Sequence, residues 1–239
     1  MKNLKTIPIG QIVAENYRAA KIFSAHNIDF CCGGGVTLER ACEKNNTDLN
    51  QIMDELRSVL DNKIKDRFEF EYPDQLIDKI MTVHHQYIVK TVPTLQMYLE
   101  KLCRVHGERH PELFQVKGLF DEGAAALLAH LQKEELVLFP FIKAMVASKN
   151  DGFELSPPHF GDIENPIQMM EHEHSAEGDR FRKIREITNN YESPAEACQT
   201  YKVAYAMLEE FESDLHKHIH LENNVLFPQA RQLFKELNF

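Results

Sequence analysis

From Asp74 onward, apolar residues recur three and four positions apart, the spacing of helices that bury one face. The pattern predicts four long helices, over residues 74–105, 111–148, 164–191 and 194–236. Gly152, Pro157, Pro158 and Gly161 mark the loop between the middle two. Pro93 lies inside the first helix and predicts a kink, because proline has no N–H for the carbonyl one turn back. Four such helices with modest connections predict an all-α protein built on an antiparallel four-helix bundle. The start of the chain reads differently. Ile7-Pro8-Ile9, a short helix through Ala19, Ala20 and Phe23, a glycine-rich break at residues 33–35 and a helix over about 48–60 predict a small helical domain. Thr37 is placed as a helix N-cap, with Arg40 where a capping box would carry Glu. The predicted organisation is therefore an amino-terminal domain over 1–60, a charged linker over 61–73 and the bundle over 74–239.

The apolar stripes of two helices are interrupted in the same way. Residues 130–140 carry His130-x-x-x-Glu134 followed by Val-Leu-Phe-Pro, and residues 218–228 carry His218-x-x-x-Glu222 followed by Val-Leu-Phe-Pro. The copies lie 88 residues apart (218 minus 130). Residues four apart share a helix face, so each copy sets one imidazole beside one carboxylate. Leu127, His130, Glu134, Val137 and Phe141 form one stripe, and Phe211, Leu215, His218, Glu222 and Val225 form the other. A lone His-x-x-x-Glu is ordinarily a solvated polar pair, but a glutamate on an apolar face is costly without a compensating partner. Two glutamates at matching places point to a cation.

Matching histidines stand upstream, His85 being 45 residues before His130 and His174 being 44 before His218. Their surroundings correspond too: Met81 and Met170 four before, Val92 and Phe181 seven after. His84 has an apolar face of its own through Ile77 and Ile80 and remains an alternative to His85. His172 shares its face with Gln168, Ser175 and Asp179 and is the weaker rival of His174. His216 and His220, beside Glu212, Ser213, Asn223 and Asn224, are predicted to face water, and His26, His106, His110 and His159 to lie on the surface or in loops. His106 and His110 also stand as candidates to support the metal ligands from outside. The candidate set is His85, His130, Glu134, His174, His218 and Glu222. Four imidazoles and two bridging carboxylates suit a pair of first-row metals, iron first, with manganese or zinc as alternatives.

Composition narrows the classes. The formal charge of −10 argues against nucleic acid and anionic membrane surfaces, either of which would want a basic stripe. No apolar run approaches about 20 residues and the first residues lack an apolar signal core, so a soluble cytoplasmic protein is expected. Five cysteines, an odd number with two adjacent, do not form a disulfide framework. Cys31 and Cys32 precede Gly33-Gly34-Gly35, whose free amides are placed to lower a thiol pKa. Adjacent cysteines make a strained disulfide at best, so a redox or iron-transfer role would run through another molecule or a bound metal. The alternative is two small buried hydrophobes. Cys42, Cys103 and Cys198 fall at apolar helix spacing and are predicted to be core.

Over essentially its whole length the chain resembles the repair-of-iron-centres di-iron proteins, which carry a hemerythrin-like carboxy-terminal domain. Ile28-Asp-Phe-Cys-Cys-Gly-Gly-Gly with Thr37-Leu38 looks like that family's cysteine domain. His85 through Pro93, His130-x-x-x-Glu134, Glu173-His174 and residues 221–228 look like its metal-binding segments. The resemblance implies the same six ligands, two iron ions, and restoration of iron–sulfur clusters damaged by nitric oxide or oxidative stress. Damaged iron–sulfur proteins are the partners it implies; a reductant and, through the Cys31 and Cys32 surface, a second copy of the chain are further candidates. Two other functions compete: reduction of nitric oxide at the two irons, and hemerythrin-like oxygen binding or sensing.

Overall fold

A computed structural model describes residues 4–16, 18–60 and 72–237. Most of the linker expected at 61–73 therefore lies outside the described residues. Among those residues the only β feature is an isolated bridge between Pro8 and Thr37. The amino-terminal unit holds α1 (Ile9–Glu15), α2 (Ala19–Ala25), α3 (Leu38–Lys44) and α4 (Leu49–Leu60). Thr37 caps α3, its hydroxyl accepting from the Arg40 amide.

Four antiparallel rods follow. The first is α5 (Pro73–Lys79), a π turn (Ile80–His85) and α6 (Gln86–His106); the second is α7 (Glu112–Lys133), a π turn (Glu134–Leu138) and α8 (Phe139–Asp151). The third is α9 (Glu164–Ile187), and the fourth is α10 (Gln199–Leu221), a π turn (Glu222–Leu226) and α11 (Phe227–Glu236). Helix α6 continues past Pro93 despite the missing donor, and the π turn of that rod sits upstream. The second rod stops at Gly152, whose φ of 73° needs a residue without a Cβ clash. The third rod ends four residues short of the expected 191, because Asn189, Asn190 and Tyr191 all take left-handed backbone and turn the chain.

Two apolar cores divide the bundle along its axis. One joins Ile88–Leu102, Leu113–Leu131 and Tyr201–Ile219 to the amino-terminal Ile9, Phe23, Phe30 and Leu38. The other gathers Leu76–Ile80, Leu138–Val146, Ile163–Met170 and Leu221–Phe234. Along every rod the candidate donor falls between these two cores, so a single polar layer is sandwiched by packed hydrocarbon.

Candidate metal centre

The Val-Leu-Phe-Pro repeat has a mechanical consequence. Pro140 and Pro228 cannot donate to the carbonyls four residues back, and their rings crowd those carbonyls. The helix widens just upstream: the Phe139 amide donates to Glu134 O and the Phe227 amide to Glu222 O, each five residues back. Both π turns therefore begin on the repeat's glutamate. The third ends on His85, with the Gln86 amide donating to Met81 O. Such single-turn insertions concentrate at functional positions.

The structure brings all six candidate side chains together, each 2% exposed or less. They form two overlapping groups, His85, His218, Glu134 and Glu222 in one, and His130, His174, Glu134 and Glu222 in the other. The donor atoms of each group lie within 4.8 Å of one another. Each pair of histidines thus joins the two sequence repeats, and both carboxylates belong to both groups. All four Nε2 atoms turn inward. His85 Nε2 stands 3.4 Å from Glu134 and 4.0 Å from Glu222, and His130 Nε2 3.4 Å from Glu134. His174 and His218 Nε2 lie 3.1 Å and 2.8 Å from Glu222. The His130 and His174 Nε2 atoms are 3.1 Å apart. Both Glu134 oxygens and His85 Nε2 are buried without a hydrogen-bond partner. A fully buried carboxylate with no donor is strongly disfavoured unless a cation meets it, and this donor set fits two cations.

Three of the four outer ring nitrogens are held by residues that sequence reasoning missed, while His218 Nδ1 is buried without a hydrogen-bond partner. His85 Nδ1 bonds Glu135 at 2.7 Å, His130 Nδ1 bonds Glu173 at 2.8 Å, and His174 Nδ1 bonds Asn223 at 2.8 Å. Each partner is the chain neighbour of a candidate ligand but serves an imidazole on another rod, and that adjacency was the available signal. Such bonds set the tautomer that leaves Nε2 free for a metal. Lys133 pairs with Glu173, and hydrogen bonds from His130 and Lys133, opposed by burial, pull the Glu173 carboxyl down to about 2. His218 stacks parallel on His84, centroids 5.8 Å apart. His84 bonds Asp214 at 3.0 Å and belongs to neither donor group. Burial alone would push His85 and His130 down, but Glu134 and Glu222 hold both up to about 10. Burial opposes ionisation of Glu222, yet the His218 charge and the neighbouring His174 and His85 imidazoles keep it well below the carboxylate range.

Four expectations fail for identifiable reasons. His220 is buried at 1% exposure and His216 half-buried, because the amino-terminal unit covers that polar face and sets Phe30 edge-on to both rings. His106 and His110 do not support the metal ligands. They meet the Tyr201 ring at the far end of α6, about 30 Å from His85 at the helical rise per residue. Cys198 is exposed, since α10 starts at Gln199 and leaves it at the N-cap, where it meets His106 at 3.2 Å. The Cys31 thiol is not lowered. Its bond to Cys32, burial and the Asp29 charge push it well up, because the Cys31 and Cys32 amides point at the Asp29 carboxylate and not at sulfur. The two sulfurs are 3.9 Å apart and unlinked.

Comparison with known proteins places this geometry. Residues 6–60 match ScdA_N, a domain of unknown function, and residues 76–230 match the hemerythrin HHE cation-binding domain. The chain is 37% identical to a probable iron-sulfur cluster repair protein of Haemophilus influenzae, covering 89% of this chain and 91% of that protein. It is 32% identical to the iron-sulfur cluster repair protein ScdA of Staphylococcus haemolyticus, covering 92% and 95%. Identity to YtfE of Yersinia pestis, also an iron-sulfur cluster repair protein, is 35%, covering 93% and 95%. The buried His/Glu layer of an HHE bundle, capped by a cysteine-bearing ScdA_N unit, thus makes this chain a member of the iron–sulfur cluster repair family.

Proposed function

We propose that the bundle holds two iron ions and that the protein supplies iron to iron–sulfur clusters damaged by nitric oxide or oxidants. One ion is assigned to His85 and His218, the other to His130 and His174, with Glu134 and Glu222 shared. The observation carrying this reading is the donor set itself: two overlapping groups of imidazole and carboxylate, with no thiolate among them. Bound iron would contribute an exchangeable, redox-active metal. Imidazole and carboxylate hold Fe(II) with harder donors than the thiolates and sulfides of a cluster, which favours passage of iron from the bundle to the client. The protein's own residues keep the layer dry and keep the imidazoles aimed. The apolar cores on either side exclude water, while Glu135, Glu173 and Asn223 hold the rings. The names of the relatives support damaged iron–sulfur proteins as clients. The absence, among the described residues, of any helix long and apolar enough to cross a membrane accords with a cytoplasmic place of action. We assign residues 1–60 and 74–239 as the two working units, with Cys31 and Cys32 contributing a redox or iron-transfer role from the first.

The test loads the protein with isotopically labelled iron and incubates it with a client whose cluster nitric oxide has disassembled. Label in the restored cluster is expected. Restoration without label would overturn iron donation. A second reading, nitric oxide reduction, is favoured by the sharing of both carboxylates between the two metal positions, since two coupled irons supply the two electrons needed. Reductant-driven nitrous oxide formation, lost in Glu134→Ala, would establish it.

A further inference from the structure

Outside the buried layer, the described residues hold one other close group of metal-ligating side chains: Asp29, Cys31 and Cys32. We propose that it is a separate mononuclear site for a thiophilic divalent cation.

The sulfur spacing carries the argument. Two thiolates bound to one tetrahedral ion at about 2.3 Å each sit about 3.8 Å apart, and Cys31 Sγ and Cys32 Sγ are 3.9 Å apart. That distance is far beyond a disulfide bond of about 2.05 Å and matches the bite of a metal. The third donor is already aligned. Asp29 Oδ1 takes the Cys31 and Cys32 amides at 3.1 and 3.0 Å and the Cys31 thiol at 3.1 Å. These bonds fix the loop around the carboxylate before any ion arrives. Access exists as well: a cavity of about 530 Å³ is lined by Asp29, Cys31, Gly178, Arg182 and His216. Binding replaces two S–H protons, released to solvent, by one divalent ion. The filled site then carries one net negative charge, facing the Arg182 guanidinium 4.0 Å from Asp29 Oδ2. Filling it also removes the contact of the Cys32 thiol with the His174 carbonyl at 3.4 Å, so occupancy is felt on the backbone of a bundle residue.

The experiment titrates Co(II) anaerobically into full-length protein whose bundle centre is already filled. A thiolate-to-cobalt charge-transfer band saturating at one equivalent is expected. It should vanish in Cys31→Ser and Cys32→Ser and persist in Cys198→Ser, which removes the exposed thiol. Asp29→Asn retains the oxygen that takes the two amides and loses the charge; affinity should fall at least about tenfold. Uptake with no thiolate band, or a band surviving both serine variants, overturns the site. Zinc shielding of Cys31 and Cys32 from alkylation, read by mass spectrometry on the wild-type protein, needs no variant, and its absence counts equally against the site. Neither readout involves a client cluster. A cobalt band with no labelled iron in the client would leave this site standing and remove the donor reading.

Discussion

The Phe227 amide donates to the Glu222 carbonyl five residues back, and Phe139 bonds Glu134 in the same way. In both places proline follows the phenylalanine, so the widened turn is imposed by a missing donor and placed on the residue that enters the polar layer. Pro228→Ala restores an amide able to reach four residues back. Metal-free protein should gain stability, by up to about 3 kcal/mol, the penalty of an interior helical proline. Metal content should fall as Glu222 leaves its register. An unchanged melting temperature together with full metal content would show that the proline does not create the turn.

The rods and the inward set were legible because His and Glu interrupt apolar stripes at repeated positions. The π turns were not, since a stripe is read with a period of 3.6 throughout. The roles of Glu135 and Glu173 were not legible because each bonds a ring on a different rod, which no local pattern records. His220 read as exposed because the face beside Glu212 and Asn224 is polar, and the unit that covers it comes from nearly two hundred residues earlier in the chain. The end of α9 escaped because a left-handed Tyr191, held by its hydroxyl on Glu212 at 3.0 Å, has no local propensity to announce it.

Glu135 orients His85 without belonging to either donor group. Glu135→Ala should therefore weaken metal binding about 10–100-fold, the usual effect of removing an outer partner. Glu135→Gln keeps an oxygen for the His85 Nδ1 proton and should recover most of the affinity. Chelator competition measures both variants. Equal affinities for wild type and Glu135→Ala would sink the orienting role.

Metal-free protein should lose stability in alkali that metal-loaded protein keeps. Burial disfavours the charged imidazoles, but Glu134 and Glu222 hold His85 and His130 up to about 10, against about 6.5 in an unfolded chain. A raised folded value contributes stability that is complete below about 6.5 and lost as pH rises through about 10. The denaturation midpoint of chelated protein should fall across that window. In loaded protein the metal replaces those protons, so the decline should vanish, and loading at neutral pH should release about two protons. Parallel pH profiles for the two forms would contradict this account.

Asn224 joins the cysteine loop to the metal layer, lying two residues beyond Glu222 in the same π turn. Its amide donates to Cys31 O at 3.2 Å. A Cβ on Gly10 would stand 2.1 Å from Asn224 Oδ1, and one on Gly34 would stand 2.5 Å from it. Gly10→Ala must therefore displace Asn224, at a cost of about 1–3 kcal/mol. Asn224→Ala should cost about 1 kcal/mol through its lost hydrogen bonds. In the double variant the clash with Asn224 is gone and only the Gly34 carbonyl, 3.1 Å from the new Cβ, still crowds it. The combined loss should then be smaller than the sum of the two single losses. Denaturant midpoints of the four proteins close the cycle, and metal content read alongside them shows whether the disturbance reaches Glu222. Strict additivity with unchanged metal content would mean that the cysteine unit and the metal layer touch at Asn224 without being mechanically linked there.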